Sequence, residues 1–368
     1  MSKLDEQLAL LRDEIDAVDR QILQLVSQRA NCATRVAEAK QTHSESEQQA
    51  VFYRPEREAQ VLRRIMDSNE GPLGDEEVAR VFRQIMSSCL ALEQPMHIAF
   101  LGPQGTFTQA AAFKHFGSSV LSMPLSSIDE VFREVESKAA HYGVVPIENS
   151  TEGMVHHTLD MFRQSELKIC GEVELRIHQH LLAAEGVDLD AVTRIYSHQQ
   201  SLAQCRRWLD ARYPTVERVA VSSNAEAARR AAAEKDQNVA AIAGDMAAET
   251  YGLNVAAETI EDQPDNTTRF LVVGHQLSGP SGKDKTSMLV AARNKPGALY
   301  HLLEPFHRHG ISLTRLETRP SGTATWGYIF YIDCEGHFSD EPIQTVMKEL
   351  ADEVLELKLL GSYPQAVL

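Results

Sequence analysis

The sequence predicts three successive domains of different class: all-α helical over residues 1–94, α/β over 96–275 and α+β over 285–368. Three observations carry this reading. No convincing strand interrupts the helical periodicity from Leu4 to about Glu93. From His97 to Gly274 short apolar runs alternate with helical stretches. After the linker SGPSGKD at 278–284 the order reads strand, helix, strand, strand, helix, strand, that of a ferredoxin-like module. A chain of 368 residues has room for two or three domains.

Composition removes several classes of partner. The chain has 36 Lys plus Arg against 52 Asp plus Glu, a net −16, which argues against nucleic acid because phosphates need a basic surface. Apolar runs such as Val239 to Ala243 fall far short of the roughly 18 residues that span a bilayer. The start MSKLDEQLAL is charged rather than apolar and is no secretory signal, so a cytoplasmic location with no membrane partner is expected. Cys32, Cys89, Cys170, Cys205 and Cys334 are scattered and never take metal-ligand spacing. They read as reduced thiols, and neither metal nor cofactor is expected.

In the first helix Leu4, Leu8, Leu11, Ile15, Val18, Ile22 and Leu25 step by fours and threes, a heptad seam that wants a lengthwise partner. The next seam position is Arg29, costly in an apolar seam unless an anion meets it. Arg12 and Lys40 each sit one residue past a seam position; they are either solvated flank charges or members of the same site. Arg29 and Lys40 are separated by roughly 16 Å of helical rise and can converge on one small dianion. Arg12 stands roughly 26 Å from Arg29, too far to share that ligand on a straight helix. It would have to reach the site of another subunit, as an antiparallel helix pair allows. A second helix begins near Tyr53 with Pro55 in its first turn and carries Arg57 and Glu58. A third follows Asp75 as N-cap, with the apolar face Val78, Phe82, Ile85 and Cys89 ending in Glu93. Glu93 either marks the helix end or looks into a polar pocket.

The strings LALLRDEID, SQR, EAK, FYRPERE and MSSCLALE resemble the all-helical chorismate mutase domain. The resemblance implies a site of Arg12 (from the partner subunit), Arg29, Lys40, Arg57, Glu58 and Glu93. The reaction is a pericyclic rearrangement of chorismate to prephenate. It needs a dicarboxylate held in its reactive shape and positive charge at the breaking ether oxygen. In that reading Arg12 and Arg29 take the carboxylates, Lys40 donates to the ether oxygen and Glu58 holds the ring hydroxyl. Glu93 stands where many relatives have glutamine and can donate only when protonated, so mutase activity is expected to fall as pH rises. Arg54 stands where some relatives are acidic, and the loop from Gln41 to Val51 is longer than in compact relatives.

In the central region strands deliver polar loops to helix starts: HIAFLG to PQGTFTQ, YGVVP to IENSTEG, RIYSH to QQSLAQ, and a last strand opens NTTRFLVV. Such loops suit carboxylates, although each alone is equally a helix cap. Their joint order resembles prephenate dehydratase. The resemblance implies a two-lobed fold like type II periplasmic binding proteins, with prephenate between the lobes. Thr268 is then the donor to the leaving hydroxyl, with Thr106, Asn149, Ser150 and Ser197 as carboxylate or keto contacts. His198 and Glu148 are candidate acids. Arg269 either binds a substrate carboxylate or pairs structurally within the lobe.

The C-terminal region resembles an ACT domain, a small-molecule sensor. Gly297, Ala298 and Leu299 match its GAL motif, and Glu317, Thr318, Arg319 and Pro320 match a motif usually written ESRP. The resemblance implies L-phenylalanine as allosteric ligand between two subunits; otherwise Gly297 merely starts a helix and Arg319 ends a strand. The order mutase, dehydratase, ACT resembles the bifunctional bacterial P-protein family, and implies a homodimer or higher oligomer acting on chorismate and prephenate under phenylalanine inhibition. Other readings are a non-catalytic amino-acid sensor, or a dehydratase whose mutase region is inactive.

Overall fold

The computed structural model describes residues 2–43, 53–234, 238–292, 295–320 and 327–368; most of the loop from Gln41 to Val51 lies outside them. Helix α1 (Lys3–His43) runs 41 residues without glycine or proline, about 60 Å of rise. Its heptad seam is exposed from end to end, with Ile15 58%, Ile22 52% and Leu25 63% accessible. The helix leans on α3 through a later row, Val26, Ala30, Ala33 and Ala37, where small side chains allow close approach.

Helix α2 (Pro55–Asp67) starts at Pro55, where a missing N–H costs nothing. Helix α3 (Asp75–Glu93) departs from expectation at both cap and face. Gly74 occupies the cap and Asp75 lies in the first turn. The buried stripe runs through Ala79, Arg83, Ser87 and Cys89, while Phe82 of the expected apolar face is exposed. The stripe is polar because it docks on the next domain: Arg83 Nη1 donates to the Lys114 carbonyl at 2.7 Å, and Gln84 Nε2 to Ser119 Oγ at 3.2 Å.

The central region forms two sheets. The first takes the order β2-β1-β3-β11-β5, with β4 paired to β3. Its strands are β1 (His97–Leu101), β2 (Leu121–Leu125), β3 (Tyr142–Asn149), β4 (Gly153–Met154), β5 (Lys168–Arg176) and β11 (Thr267–Gly274). The second, β10-β6-β9-β7-β8, holds β6 (His180–Ala183), β7 (Arg194–His198), β8 (Glu217–Val221), β9 (Val239–Ala243) and β10 (Asn254–Ala257). Helices α4 (Phe107–Phe116), α5 (Ile128–Glu136) and α6 (His156–Gln164) cover the first lobe. Helices α7 (Gln199–Gln204), α8 (Arg206–Arg212), α9 (Asn224–Ala233) and α10 (Asp245–Tyr251) belong to the second. The chain crosses between lobes after β5 and returns before β11, so a cleft opens between them with two connections at its base.

The C-terminal region is β12 (Asp284–Ala292), α11 (Ala298–Arg308), β13 (Leu313–Pro320), β14 (Tyr328–Glu335), α12 (Glu341–Glu353) and β15 (Glu356–Pro364), in an antiparallel sheet ordered β13-β14-β12-β15. One face of this sheet does not stand apart. Leu289, Ile329, Tyr331 and Leu360 share one apolar cluster with Phe132, Phe162 and Ile169 of the first lobe. Gly361 lies so close to the Ile169 backbone that a Cβ would meet its nitrogen at 2.9 Å. The segment read as a linker is equally engaged: Arg63 of α2 donates to the Ser281 and Lys283 carbonyls and to that of Gln365. Cys32 is exposed and the other four cysteines are buried, all as free thiols. Among the described residues no helix is long and apolar enough to cross a membrane.

Candidate active sites

The cleft encloses about 970 Å³ and is lined by both lobes. On the first lobe, Thr268, the second residue of β11, lies opposite Asn149, the last residue of β3. Asn149 Oδ1 accepts the backbone N–H groups of Thr151 and Glu152, each at 3.0 Å. That fixes the amide: its nitrogen must point the other way, where it donates to Asn266 Oδ1 at 2.7 Å and Thr268 Oγ1 at 2.8 Å. Thr268 thus accepts from Asn149 and keeps its own proton for whatever occupies the cleft.

A chain of amides continues across the base. Asn266 Nδ2 donates to Gln204 Oε1 at 3.3 Å; Gln179 Nε2 donates to Gln204 Oε1 at 3.5 Å and to Ser201 Oγ at 3.1 Å. Asn224 joins this set on the second lobe, its Oδ1 accepting from the His198 backbone N–H at 3.1 Å. Sequence reading missed Gln179, Ser201, Gln204, Asn224 and Asn266. Asn266 directly precedes TTRF and Asn224 starts a helix after the strand RVAVSS, the same strand, polar loop and helix signal used elsewhere. Gln179 carries no such signal.

Several expected contacts lie outside the cleft. Ser197 is fully buried and donates to the Ile242 carbonyl at 2.8 Å, locking β7 to β9. Ser150 accepts the Thr267 N–H at 3.0 Å and serves the turn into β11. Thr106 lines the cleft, but its hydroxyl caps α4: it accepts the Gln109 N–H and donates to the Leu101 carbonyl at 3.2 Å. Glu148 points away and pairs with Arg315 at 2.6 Å. Arg269 also points away, because neighbours on a strand face opposite sides. It pairs with Glu172 at 2.8 Å and Asp333 at 2.7 Å and bonds Tyr363. Burial works against its charge, yet Tyr363, Asp333 and Glu172 hold it more firmly charged than an ordinary arginine.

The described lining contains no arginine or lysine; its ionisable side chains are Glu152 and His198. An anion there meets hydroxyls, amides and the first turns of α4 and α9, whose N-caps are Thr106 and Ser223.

In the helical domain Lys40 Nζ lies 3.5 Å from Glu93 Oε2. Arg12, Arg29 and Arg57 are exposed on their helices. Glu58 faces elsewhere: its carboxylate is 3.2 Å from Arg83 Nε, in a small buried space shared with Tyr53, His115 and the chain's last residues. Burial raises its pKa to about 6 against the pull of Arg83, and burial beside the same arginine lowers that of His115 to about 3. In the third domain Gly297 takes a left-handed φ of 80° before α11, and β13, which carries Glu317, Thr318, Arg319 and Pro320, is an edge strand. Arg319 pairs with Asp160 of α6 at 3.0 Å.

Three family models match in order: chorismate mutase type II over residues 11–94, prephenate dehydratase over 98–278 and the ACT domain over 286–352. A bifunctional chorismate mutase/prephenate dehydratase of Stutzerimonas stutzeri is 61% identical over 368 residues, all of both chains. The chain belongs to the bifunctional chorismate mutase/prephenate dehydratase family. A Pseudomonas aeruginosa member of the family is also 61% identical, covering 99% of each chain. Among solved structures, a prephenate dehydratase from Arthrobacter aurescens in complex with L-Phe is 37% identical at a TM-score of 0.68, covering 74% of this chain and 90% of that one. In this family member the helical region is open along α1, and the cleft between the two lobes lies within the region that the prephenate dehydratase model matches.

Proposed function

We propose that the protein carries out two consecutive steps of phenylalanine synthesis and is inhibited by L-phenylalanine, with domains at 1–94, 96–275 and 285–368. It is a chorismate mutase and a prephenate dehydratase in one chain. The mutase site forms when two α1 helices pair antiparallel: Arg29, Lys40, Arg57 and Glu93 come from one subunit and Arg12 from the other. The cations hold the carboxylates of chorismate, and Lys40 meets charge developing on the ether oxygen. The exposed seam of α1 supports the pairing, since a row of leucines and isoleucines needs a partner surface.

In the cleft, prephenate loses its ring carboxylate as carbon dioxide. The electron pair of that carbon–carbon bond enters the ring as it aromatises, and the ring hydroxyl departs and takes up a proton to leave as water. Thr268 is too weak an acid to supply that proton outright; its hydrogen bond polarises the departing oxygen. The carrying observation is the Asn149 amide, which leaves Thr268 its proton. Phenylalanine binds the ACT domain beside α11 and the edge strand β13, at Gly297, Ala298, Leu299, Glu317 and Thr318, between two subunits. Inhibition follows if it binds a closed arrangement of the protein better than an open one.

The test supplies chorismate, then prephenate, and follows loss of the first and appearance of phenylpyruvate with and without phenylalanine. Turnover of both, the second suppressed by phenylalanine, is expected. Turnover of prephenate alone would mean an inactive mutase region, and turnover of neither would leave an amino-acid sensor.

A further inference from the structure

Two strands that end at the cleft present alternate residues to opposite sides. On β11, Thr268 faces the cleft and Arg269 the C-terminal sheet; on β3, Asn149 faces the cleft and Glu148 the C-terminal sheet. Glu148 and Arg269 are directly opposed in the β3–β11 ladder, one step from the Asn149–Thr268 pair, and a bulge follows between Arg269 and Phe270. Both are held by the third domain. Arg315 of β13 reaches Glu148 at 2.6 Å, and Asp333 of β14 reaches Arg269 at 2.7 Å. Asp333 itself links the two, lying 3.9 Å from Arg315 and accepting from Ser287 Oγ at 2.6 Å. Burial alone would raise the Asp333 carboxyl, but Arg269, Ser287 and Arg315 hold it below the ordinary carboxylate range. The groups on the far side of both strands therefore form a charged clamp with a fixed geometry.

We propose that Glu148 and Arg269 are positioning residues through which the third domain sets the distance and direction between Asn149 and Thr268. The inference rests on reading the cleft as the dehydratase site. A bulge makes the ladder locally adjustable, and a donor displaced by a fraction of an ångström loses its aim at the leaving oxygen. The clamp acts on the orientation of the donor pair and, through Arg315 Nη2 against Met154 Sδ, on one apolar residue of the cleft lining. Its loss should therefore lower kcat and leave KM nearly unchanged. β13 also carries Glu317 and Thr318, so a ligand bound beside that strand acts on the clamp without crossing any other element.

The experiment uses the full-length protein and prephenate. Arg315→Gln and Glu148→Gln are each expected to lower kcat about tenfold or more with KM within about twofold. Arg315→Lys should recover much of the loss, and the double glutamine variant should lose no more than Arg315→Gln alone, since Glu148→Gln removes a contact that variant already lacks. Mutase turnover and the unfolding midpoint monitor folding. Unchanged kcat in both single variants, or losses that multiply in the double variant, would overturn the clamp. Absence of prephenate turnover in the parent protein would instead overturn the reading of the cleft, which keeps the two failures apart.

Discussion

Asn149 Nδ2 donates to Thr268 Oγ1 across 2.8 Å, and the direction of that bond makes Thr268 a donor toward the cleft. Asparagine can do this because its oxygen is already committed to two backbone N–H groups. Aspartate would keep those two bonds but place a second acceptor against Thr268, turning the hydroxyl proton inward. Asn149→Asp, nearly isosteric, is expected to cost about a hundredfold in dehydratase kcat, the scale of one lost transition-state donor. Thr268→Val should abolish dehydratase turnover and leave mutase turnover intact. Steady-state rates with prephenate and with chorismate check both; an Asn149→Asp enzyme with the parent kcat would mean that Thr268 is not the donor.

The Lys40–Glu93 contact bears on the mutase. A carboxylate accepts hydrogen bonds but cannot give one, so a role for Glu93 at the ether oxygen requires its proton. Glu93→Gln supplies a permanent donor of the same shape. Its mutase rate should fall off less with rising pH than that of the parent. Superimposable pH profiles for kcat/KM would remove Glu93 from that role.

How much of this was legible in the sequence differs by the kind of signal. The heptad of α1, the strand order of the third domain and the polar loops before helices are local patterns, and each formed where it was read. Asn149 and Thr268 were legible because each lies in a loop motif at a strand end. The buried stripe of α3 was not: Arg83 and Ser87 look like surface residues until the neighbouring domain covers them. Arg269 shows the same limit. Beside Thr268 it could be read equally as a substrate contact or a structural pair, and strand alternation decides for the second, with partners 97 and 64 positions away, Glu172 and Asp333. Gln179 acts by meeting Gln204 and Asn224 at the lobe crossing, a juxtaposition no spacing encodes.

Glu58 gives a stability prediction with a definite sign. Its pKa is raised from 4.5 to about 6 by burial, only partly offset by Arg83. Between these values the folded state holds a proton that the unfolded chain has released, so stability falls as pH rises through about 6. The loss is about 2 kcal/mol for a shift of this size. Glutamine mimics the protonated form. The stability of Glu58→Gln relative to the parent should therefore rise by about 2 kcal/mol between acid and neutral pH. Denaturant unfolding of both proteins below pH 4.5 and above about 6 measures the difference; a constant gap would mean that folding leaves the pKa of Glu58 unchanged, and a gap that moves the other way would mean that the folded protein favours its ionised form.

The free seam of α1 leads to a complementation test. If two α1 helices pair antiparallel, each mutase site takes Arg29 from one subunit and Arg12 from the other. Arg12→Ala and Arg29→Ala should each abolish mutase activity when alone. In a mixed dimer one site collects both substitutions and the other collects none. Random exchange makes half the dimers mixed, so about a quarter of all sites become intact. Mixing the two inactive proteins under conditions that exchange subunits should then restore about a quarter of the parent mutase activity, with dehydratase turnover unaffected throughout. Recovery of nothing, in a mixture shown to contain mixed dimers, would place Arg12 and Arg29 in the same subunit's site or Arg12 in none. Ile15→Lys, which puts a charge in the middle of the seam, should prevent pairing and remove mutase activity as well, with the mass of the species in solution as the independent reading.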